Sequence, residues 1–221
     1  MPRKTLIRSA VCPYHVTARS NNREPFDRFL FSLDSVWNEL AQQCFEISIL
    51  FGVQIHAFVL MPNHIHMLIS TPNEDLGLVM QHWMRSGTRS LNLHSGHSGH
   101  IFSGRYHWTI IDSPTYYSHA FKYVYRNPVR AGLCESVQDY TFSTLSGLAG
   151  SRNLPFPIHY PFRKDNHIFI PDSFDEMVSW LNHPFKIEHL KAIQKAMNRT
   201  RYQPPKAGWK RTLEELNNPL I

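Results

Sequence analysis

Residues 53–70 read VQIHAFVLMPNHIHMLIS, and their pattern predicts a β-hairpin. Two apolar runs rich in β-branched and aromatic residues flank the tripeptide Met-Pro-Asn at 61–63, and proline beside asparagine is typical of a turn. The predicted strands cover residues 53–60 and 64–70. Successive side chains of a strand point to opposite faces of the sheet, so every second residue of each run shares one face.

Helices and strands alternate on both sides of this hairpin. Apolar residues at helical spacing predict helices, and short β-branched runs predict strands. The predicted elements are a strand at about 9–18, a helix at 27–44, the hairpin, a helix at 75–93, a strand at 105–111 and a helix at 114–126. The order β-α-β-β-α-β-α is that of the ferredoxin-like arrangement. We therefore predict an α+β fold, with helices packed on an antiparallel sheet.

The length of 221 residues suggests one domain with an appendage. Three prolines between residues 155 and 161 mark a linker. We predict a main domain at 1–150 and a basic, mainly helical extension at 151–221. Within the extension, the sequence Ser-Phe-Asp-Glu at 173–176 is a capping-box pattern that begins a short helix, and a basic amphipathic helix follows it.

Positive charge is concentrated in the extension. The whole chain has a formal charge of +6, yet residues 29–84 contain no lysine or arginine. Between residues 186 and 211 the only acid is Glu188, and the bases are Lys186, Lys191, Lys195, Arg199, Arg201, Lys206, Lys210 and Arg211. Such a basic segment is a common feature of nucleic-acid binding. A solvated basic helix that only improves solubility fits the same pattern.

Composition argues against membrane and secreted proteins. No apolar run approaches the roughly 20 residues of a membrane span, and the first residues lack the apolar stretch of a signal peptide. The three cysteines are an odd number at unrelated spacings, which argues against a disulfide framework and for a reducing compartment. We expect a cytoplasmic protein with no membrane partner.

Two motifs carry the chemistry. On a strand, His64 and His66 share one face with their Cα atoms about 7 Å apart, so the two imidazoles can converge on a metal ion. In FKYVYRNP at 121–128, Tyr123 and Asn127 lie one helical turn apart, which places a phenol and an amide oxygen side by side. Neither motif is decisive alone, because His-x-His pairs are frequent by chance and Asn before Pro often ends a helix.

Four blocks, taken in order, resemble the HUH single-tyrosine transposases. They read YHVTARSNNR at 14–23, HAFVLMPNHIHMLI at 56–69, GRY at 104–106 and YVYRNPVRAGL at 123–133. Among these transposases, the sequence is most similar to the REP-associated tyrosine transposases. The resemblance extends over about residues 6–145. Because the blocks match in order and separation, together they are far more specific than any one motif.

The resemblance implies an HUH endonuclease-type domain that cuts and joins single-stranded DNA in DNA transposition and recombination. His64 and His66 would hold a divalent metal ion, Mg²⁺ or Mn²⁺. Asn127 would be the third metal ligand, in a position where the wider family often has glutamine. Tyr123 would be the nucleophile and form a 5′-phosphotyrosine intermediate. Tyr125 is two residues further along the helix and would point about 200° away from Tyr123.

Relatives of this kind recognise imperfect DNA hairpins with a short single-stranded guide, so REP-like hairpin DNA is the expected partner. Arginine and lysine supply phosphate contacts, and arginine and asparagine also read base edges. The candidate DNA-binding residues are Arg19, Asn22, Arg23, Arg85, Arg89, Arg105, Arg126, Arg130, Lys206, Lys210 and Arg211. For Arg105 and Arg126, an ion pair with acids of the first helix is the alternative.

Two other functions fit the same residues. A catalytically silent protein could bind hairpin DNA as a regulator, and a metal-dependent nuclease could use water in place of Tyr123. The presence of all four site residues favours the strand transferase. The insertion-sequence relatives are dimers that exchange the tyrosine helix, whereas the REP-associated branch is monomeric. Because the long extension resembles the latter, we expect a nucleoid-associated monomer with Tyr123 acting in cis, and a dimer is the alternative.

Overall fold

A computed structural model of the chain describes residues 5–30, 32–73, 75–159 and 170–201. The strands are β1 (Tyr14–Arg19), β2 (Gln54–Met61), β3 (His64–Ser70) and β4 (His107–Ile110). The helices are α1 (Asp27–Leu30), α2 (Leu33–Phe51), α3 (Leu76–Ser95), α4 (Pro114–Arg130), α5 (Thr144–Leu148), α6 (Phe174–Asn182) and α7 (Ile187–Met197), with 3-10 turns at Asn21–Arg23 and Val137–Asp139. No helix within these ranges is long and apolar enough to cross a membrane.

The four strands form one antiparallel sheet in the order β2-β3-β1-β4. Both the chain order and the strand order are those of the ferredoxin-like arrangement, so the predicted α+β fold is confirmed. β3 and β1 are the inner strands. Their register places Arg19 opposite His64 and Thr17 opposite His66.

Alternation along the strands divides the core into two layers. On one face, Phe58 and Met67 pack under α2 and α3, together with the indoles of Trp37 and Trp83. On the other face, Leu68 and its neighbours pack under α4, α6 and α7. His64, His66 and Leu68 are alternate residues of β3 and share one face, so β3 presents both imidazoles to the α4 face.

The predicted helix at 27–44 is wrong in two respects, because the structure has two helices in its place and the second ends later than residue 44. A short α1 precedes α2, which begins at the N-cap Ser32, whose hydroxyl accepts a hydrogen bond from the Ser35 amide at 3.1 Å. α2 then runs beyond residue 44 because its apolar stripe continues to the buried Ile47. It ends at Gly52, whose φ of 64° is the left-handed conformation that glycine adopts most easily.

The tyrosine helix α4 also runs further than residue 126, through Pro128 to Arg130. A proline inside a helix leaves the carbonyl four residues earlier without its donor. The side chain of Asn127 compensates, since its Nδ2 donates to the carbonyls of Tyr123 at 3.0 Å and Val124 at 3.4 Å. Asn127 therefore does not end the helix. It allows the helix to continue past the proline.

Both predicted helices of the extension are present as α6 and α7. The hydroxyl of Ser173 accepts from the Glu176 amide at 3.5 Å, as the capping-box pattern predicts. The extension also reaches the sheet, where the Ile110 amide donates to the Thr200 carbonyl at 3.0 Å. Phe156 belongs to the core under α2 and α3. The division of the chain at residue 150 stays a prediction.

Two buried cations join α4 to α6. The Lys122 ammonium lies 4.8 Å from the ring centroid of Trp180 and 5.2 Å from that of Phe185. Arg126 donates from Nη1 to the carbonyls of Leu181 at 2.8 Å and Asn182 at 2.5 Å, where a cation complements the negative end of the α6 dipole. Burial, with a smaller contribution from the charge of Arg126, lowers the pKa of Lys122 to about 7.

Replacing Lys122 with methionine is expected to raise the free energy of unfolding by about 1–3 kcal/mol at neutral pH, because an apolar chain replaces a buried charge. Lys122 of the unfolded chain stays protonated up to its ordinary pKa of 10.5, whereas the folded protein loses this proton above about 7. The contribution of Lys122 to stability therefore rises with pH across that window. Urea denaturation from pH 6.5 to 9.5 measures it, with the exposed Lys191→Met as control. Parallel pH profiles for wild type and K122M would contradict the prediction.

Candidate active site

Three of the predicted site residues meet where β3 begins. The rings of His64 and His66 lie 5.1 Å apart between centroids, at 75° to each other. From α4, the half-buried Tyr123 places its ring 5.9 Å from that of His66, almost perpendicular to it. The β-hairpin and the helix are remote in sequence, and the packing of α4 on this sheet face brings them together.

The hydrogen bond at Nδ1 of His64 determines which ring nitrogen carries the lone pair that a metal ion could bind. The His64 Nδ1–H donates to the side-chain oxygen of Asn63 at 2.8 Å, so the lone pair is at Nε2. Burial, with the nearby charge of Arg19, lowers the pKa of His64 to about 4. Burial also lowers the pKa of His66 well below its ordinary value. Both imidazoles are therefore neutral at neutral pH, which is the state that binds a metal ion.

Asn127 presents its amide oxygen beside the tyrosine. Its Nδ2 is held by the helix backbone, and its Oδ1 accepts a hydrogen bond from Arg130 Nη1 at 3.3 Å. The Arg130 guanidinium also lies 5.4 Å from the ring centroid of Tyr123. One arginine thus contacts both Tyr123 and Asn127, and its charge favours an anionic phosphate here.

The donor set fits a divalent ion of the Mn²⁺ or Mg²⁺ type. Two neutral imidazoles on one strand and an amide oxygen on the facing helix are accepted ligand types. In the described part of the chain, no group of three or more His, Cys, Asp or Glu residues is arranged to hold a metal. The amide of Asn127 would be the third protein ligand.

Tyr125 faces away from this site, as its helical position predicts. It is buried, and its hydroxyl lies 2.8 Å from the Thr144 hydroxyl on the opposite side of α4. Tyr123 is the tyrosine that lies beside the histidine pair.

Most candidate DNA-binding residues have exposed side chains. The exposed ones are Arg19, Asn22, Arg23, Arg85, Arg89, Arg105 and Arg130. Arg85 and Arg105 line a groove of about 470 Å³ between α3 and residues 100–106. Asn22 and Arg23 form the turn after β1, where Asn63 Nδ2 donates to the Arg23 carbonyl at 3.1 Å.

Arg126 differs from the other candidates because it is buried against α6 and bonded to backbone carbonyls. Neither DNA contact nor an ion pair with acids of the first helix describes its position. We therefore leave Arg126 out of the proposed DNA-binding set. Lys206, Lys210 and Arg211 lie outside the described residues.

The sequence of the main domain matches a known family. Residues 9–127, more than half of the chain, match the profile of the IS200-like transposases. The chain belongs to the IS200-like transposase family. The matched segment of this transposase contains His64, His66 and Tyr123 and ends at Asn127. No curated protein matches the chain closely enough to count as a relative.

The fold of this transposase is shared with a REP-associated tyrosine transposase solved with a REP hairpin bound, with a TM-score of 0.54 and 22% identity over 72% of this chain and 90% of that one. A weaker match is a proposed transposase of Deinococcus radiodurans, with a TM-score of 0.39 and 17% identity over 51% of this chain and 86% of that one.

One residue beside the site, His15, is absent from the predicted site residues. It is buried, its Nε2 lies 2.9 Å from Nδ1 of His66, and its ring lies 6.0 Å from that of Tyr123. Alternation along β1 is the sequence signal that could have identified it. His15 shares a strand face with Arg19, the residue opposite His64.

Proposed function

We propose that this transposase cuts and rejoins single-stranded DNA at REP-like hairpins, with Tyr123 as the nucleophile. The observation that carries the proposal is the position of the Tyr123 ring, 5.9 Å from that of His66 and beside the His64–His66 pair. Such a site unites a nucleophile with two neutral metal-binding imidazoles.

Tyr123 performs the bond exchange in this proposal. A divalent ion held by His64, His66 and Asn127 would withdraw charge from a non-bridging phosphate oxygen. The Tyr123 oxygen attacks phosphorus in line, and the bond to the leaving 3′ oxygen breaks. The products are a 5′-phosphotyrosine and a free 3′-hydroxyl. Attack by another 3′-hydroxyl reverses the step and joins a new strand, so no external energy source is required.

The chain supplies positive charge where the reaction creates negative charge. The Arg130 guanidinium lies over the Tyr123 ring and favours a negatively charged phosphate beside it. Arg19, opposite His64 at the end of β1, adds a second positive charge at the same edge.

Hairpin DNA is the proposed substrate for two reasons. The fold is shared with a REP-associated transposase that was solved with a REP hairpin bound. In addition, the exposed Arg19 and Arg130 lie beside the site, and Arg23, Arg85 and Arg105 are also exposed, as contacts with a phosphate backbone require. A DNA-cutting role also agrees with the expected cytoplasmic, nucleoid-associated location.

The decisive experiment is incubation of the protein with a hairpin labelled at its 3′ end, followed by denaturing gel electrophoresis. A labelled protein–DNA adduct is expected with a divalent ion and not with chelator. Mn²⁺ is expected to support it at least as well as Mg²⁺, because imidazole suits Mn²⁺ better. Binding without cleavage would instead indicate a regulator, and cleavage without an adduct would indicate attack by water. An adduct seen only with Mg²⁺ would contradict the metal preference.

A further inference from the structure

His15 lies in the middle of the sheet, on the same face as the histidine pair. Its strand β1 is flanked by β3 and β4, and His15 pairs with Leu68 while Thr17 pairs with His66. His15 is thus the diagonal neighbour of His66, a separation that long side chains bridge. With only 4% of its surface exposed, His15 is screened from bulk water.

Each member of the histidine pair has a partner at Nδ1. For His64 the partner is the Asn63 side-chain oxygen at 2.8 Å. For His66 it is Nε2 of His15 at 2.9 Å, with the two rings only 14° from parallel. Metal-binding histidines commonly donate their second N–H to such a partner, which fixes the tautomer and the ring orientation.

The tautomer decides whether His66 can bind a metal. A neutral imidazole carries its proton on one nitrogen and a lone pair on the other. If His66 Nδ1–H donates to His15, the lone pair of His66 is at Nε2, free for a metal ion. If His15 Nε2–H donates instead, the proton of His66 is on Nε2 and this lone pair is lost.

We propose that His15 is a positioning residue that accepts the Nδ1–H of His66 and so keeps His66 Nε2 free for the metal ion. This inference rests on the proposed function, because it assumes that His66 binds a metal. The ring of Tyr123 also lies 6.0 Å from that of His15, almost perpendicular to it, so His15 contacts both the nucleophile and the histidine pair.

Two substitutions separate the acceptor from the packing of His15. His15→Leu fills similar space without an acceptor, whereas His15→Gln retains an acceptor oxygen. Mn²⁺ binding by DNA-free protein is followed from the electron paramagnetic resonance of free Mn²⁺. H15L is expected to bind about 10–100-fold more weakly than wild type, the usual effect of losing such a partner, and H15Q to recover most of the affinity. Thermal unfolding checks that both variants are folded.

His56→Gln is the matched control. His56 is equally buried in the sheet, but its partners are the His159 carbonyl at 2.7 Å and the Ser70 hydroxyl at 2.9 Å. The H56Q substitution should therefore leave Mn²⁺ affinity unchanged. The role of His15 is overturned if H15L binds Mn²⁺ as tightly as wild type, or if H15Q binds it as weakly as H15L. Either result leaves the metal site intact. A wild type that binds no Mn²⁺ overturns the metal site and, with it, the role of His15.

A measurement on the unmutated protein is independent of folding in the variants. Long-range proton–nitrogen NMR of the imidazoles distinguishes the two neutral tautomers. His66 is expected to carry its proton on Nδ1 in the metal-free protein. A proton on Nε2 of His66 would overturn the proposal.

Discussion

Replacing Tyr123 with phenylalanine should abolish the covalent protein–DNA adduct and reduce strand cleavage by at least about 10³-fold, because loss of a nucleophile removes most of the catalysis. The phenyl ring retains the packing against His15 and His66 and the position under Arg130. Hairpin affinity and thermal stability are therefore expected to stay unchanged. Adduct formation on denaturing gels and hairpin binding by fluorescence anisotropy provide the two readouts.

Tyr125→Phe is the matched control for this substitution. It removes one buried hydroxyl, which lies 2.8 Å from that of Thr144, at a cost of about 1 kcal/mol of stability. Its adduct yield should equal that of wild type. Wild-type cleavage by Y123F would identify water as the nucleophile, and loss of the adduct in Y125F alone would assign the reaction to the other tyrosine.

The hairpin could be predicted from the sequence because its signals are local. Two apolar runs, a turn tripeptide and strict alternation place β3 at the bounds that the structure has, with both histidines on one face. The face of α4 was predictable for the same reason, since Tyr123 and Tyr125 differ in direction through helical geometry alone.

The end of α4 could not be predicted from the sequence pattern, because it depends on the conformation of a single side chain. Proline after asparagine commonly ends a helix, yet the helix continues because the Asn127 amide donates to two backbone carbonyls. Such compensation depends on one rotamer and leaves no periodic signal in the sequence. It also places Oδ1 of Asn127 where it accepts a hydrogen bond from Arg130.

The positions of Arg126 and His15 could not be predicted, because their surroundings come from distant segments. An arginine on a basic helix resembles a phosphate-binding residue until the carbonyl end of α6 packs against it. Likewise, the contact of His15 with His66 joins residues 51 positions apart and depends on strand register. Neither register nor the docking of the extension can be deduced from periodicity.

The contacts of α4 also bear on how the site is completed. Arg126 bonds to the last carbonyls of α6, and Lys122 packs against the aromatic rings of Trp180 and Phe185. The extension thus packs against the tyrosine helix of its own chain. We propose on this basis that the protein acts as a monomer, with Tyr123 serving the histidine pair of the same chain.

Replacing His64 and His66 together with alanine should abolish Mn²⁺ binding and reduce cleavage by about 10³-fold, since a catalytic metal contributes several kcal/mol. Hairpin binding is expected to persist because Arg23, Arg85 and Arg105 are unchanged and exposed. If the double variant cleaves like wild type, these histidines do not hold the metal.

The same double variant tests whether the tyrosine acts in cis. Y123F retains the histidine pair, and the double variant retains the tyrosine. If two chains exchanged α4, a mixture of the variants would assemble intact sites and recover part of the adduct. With α4 packed on the sheet of its own chain, the mixture should form no more adduct than either variant alone. Adduct in the mixture would show that the site is shared between two chains.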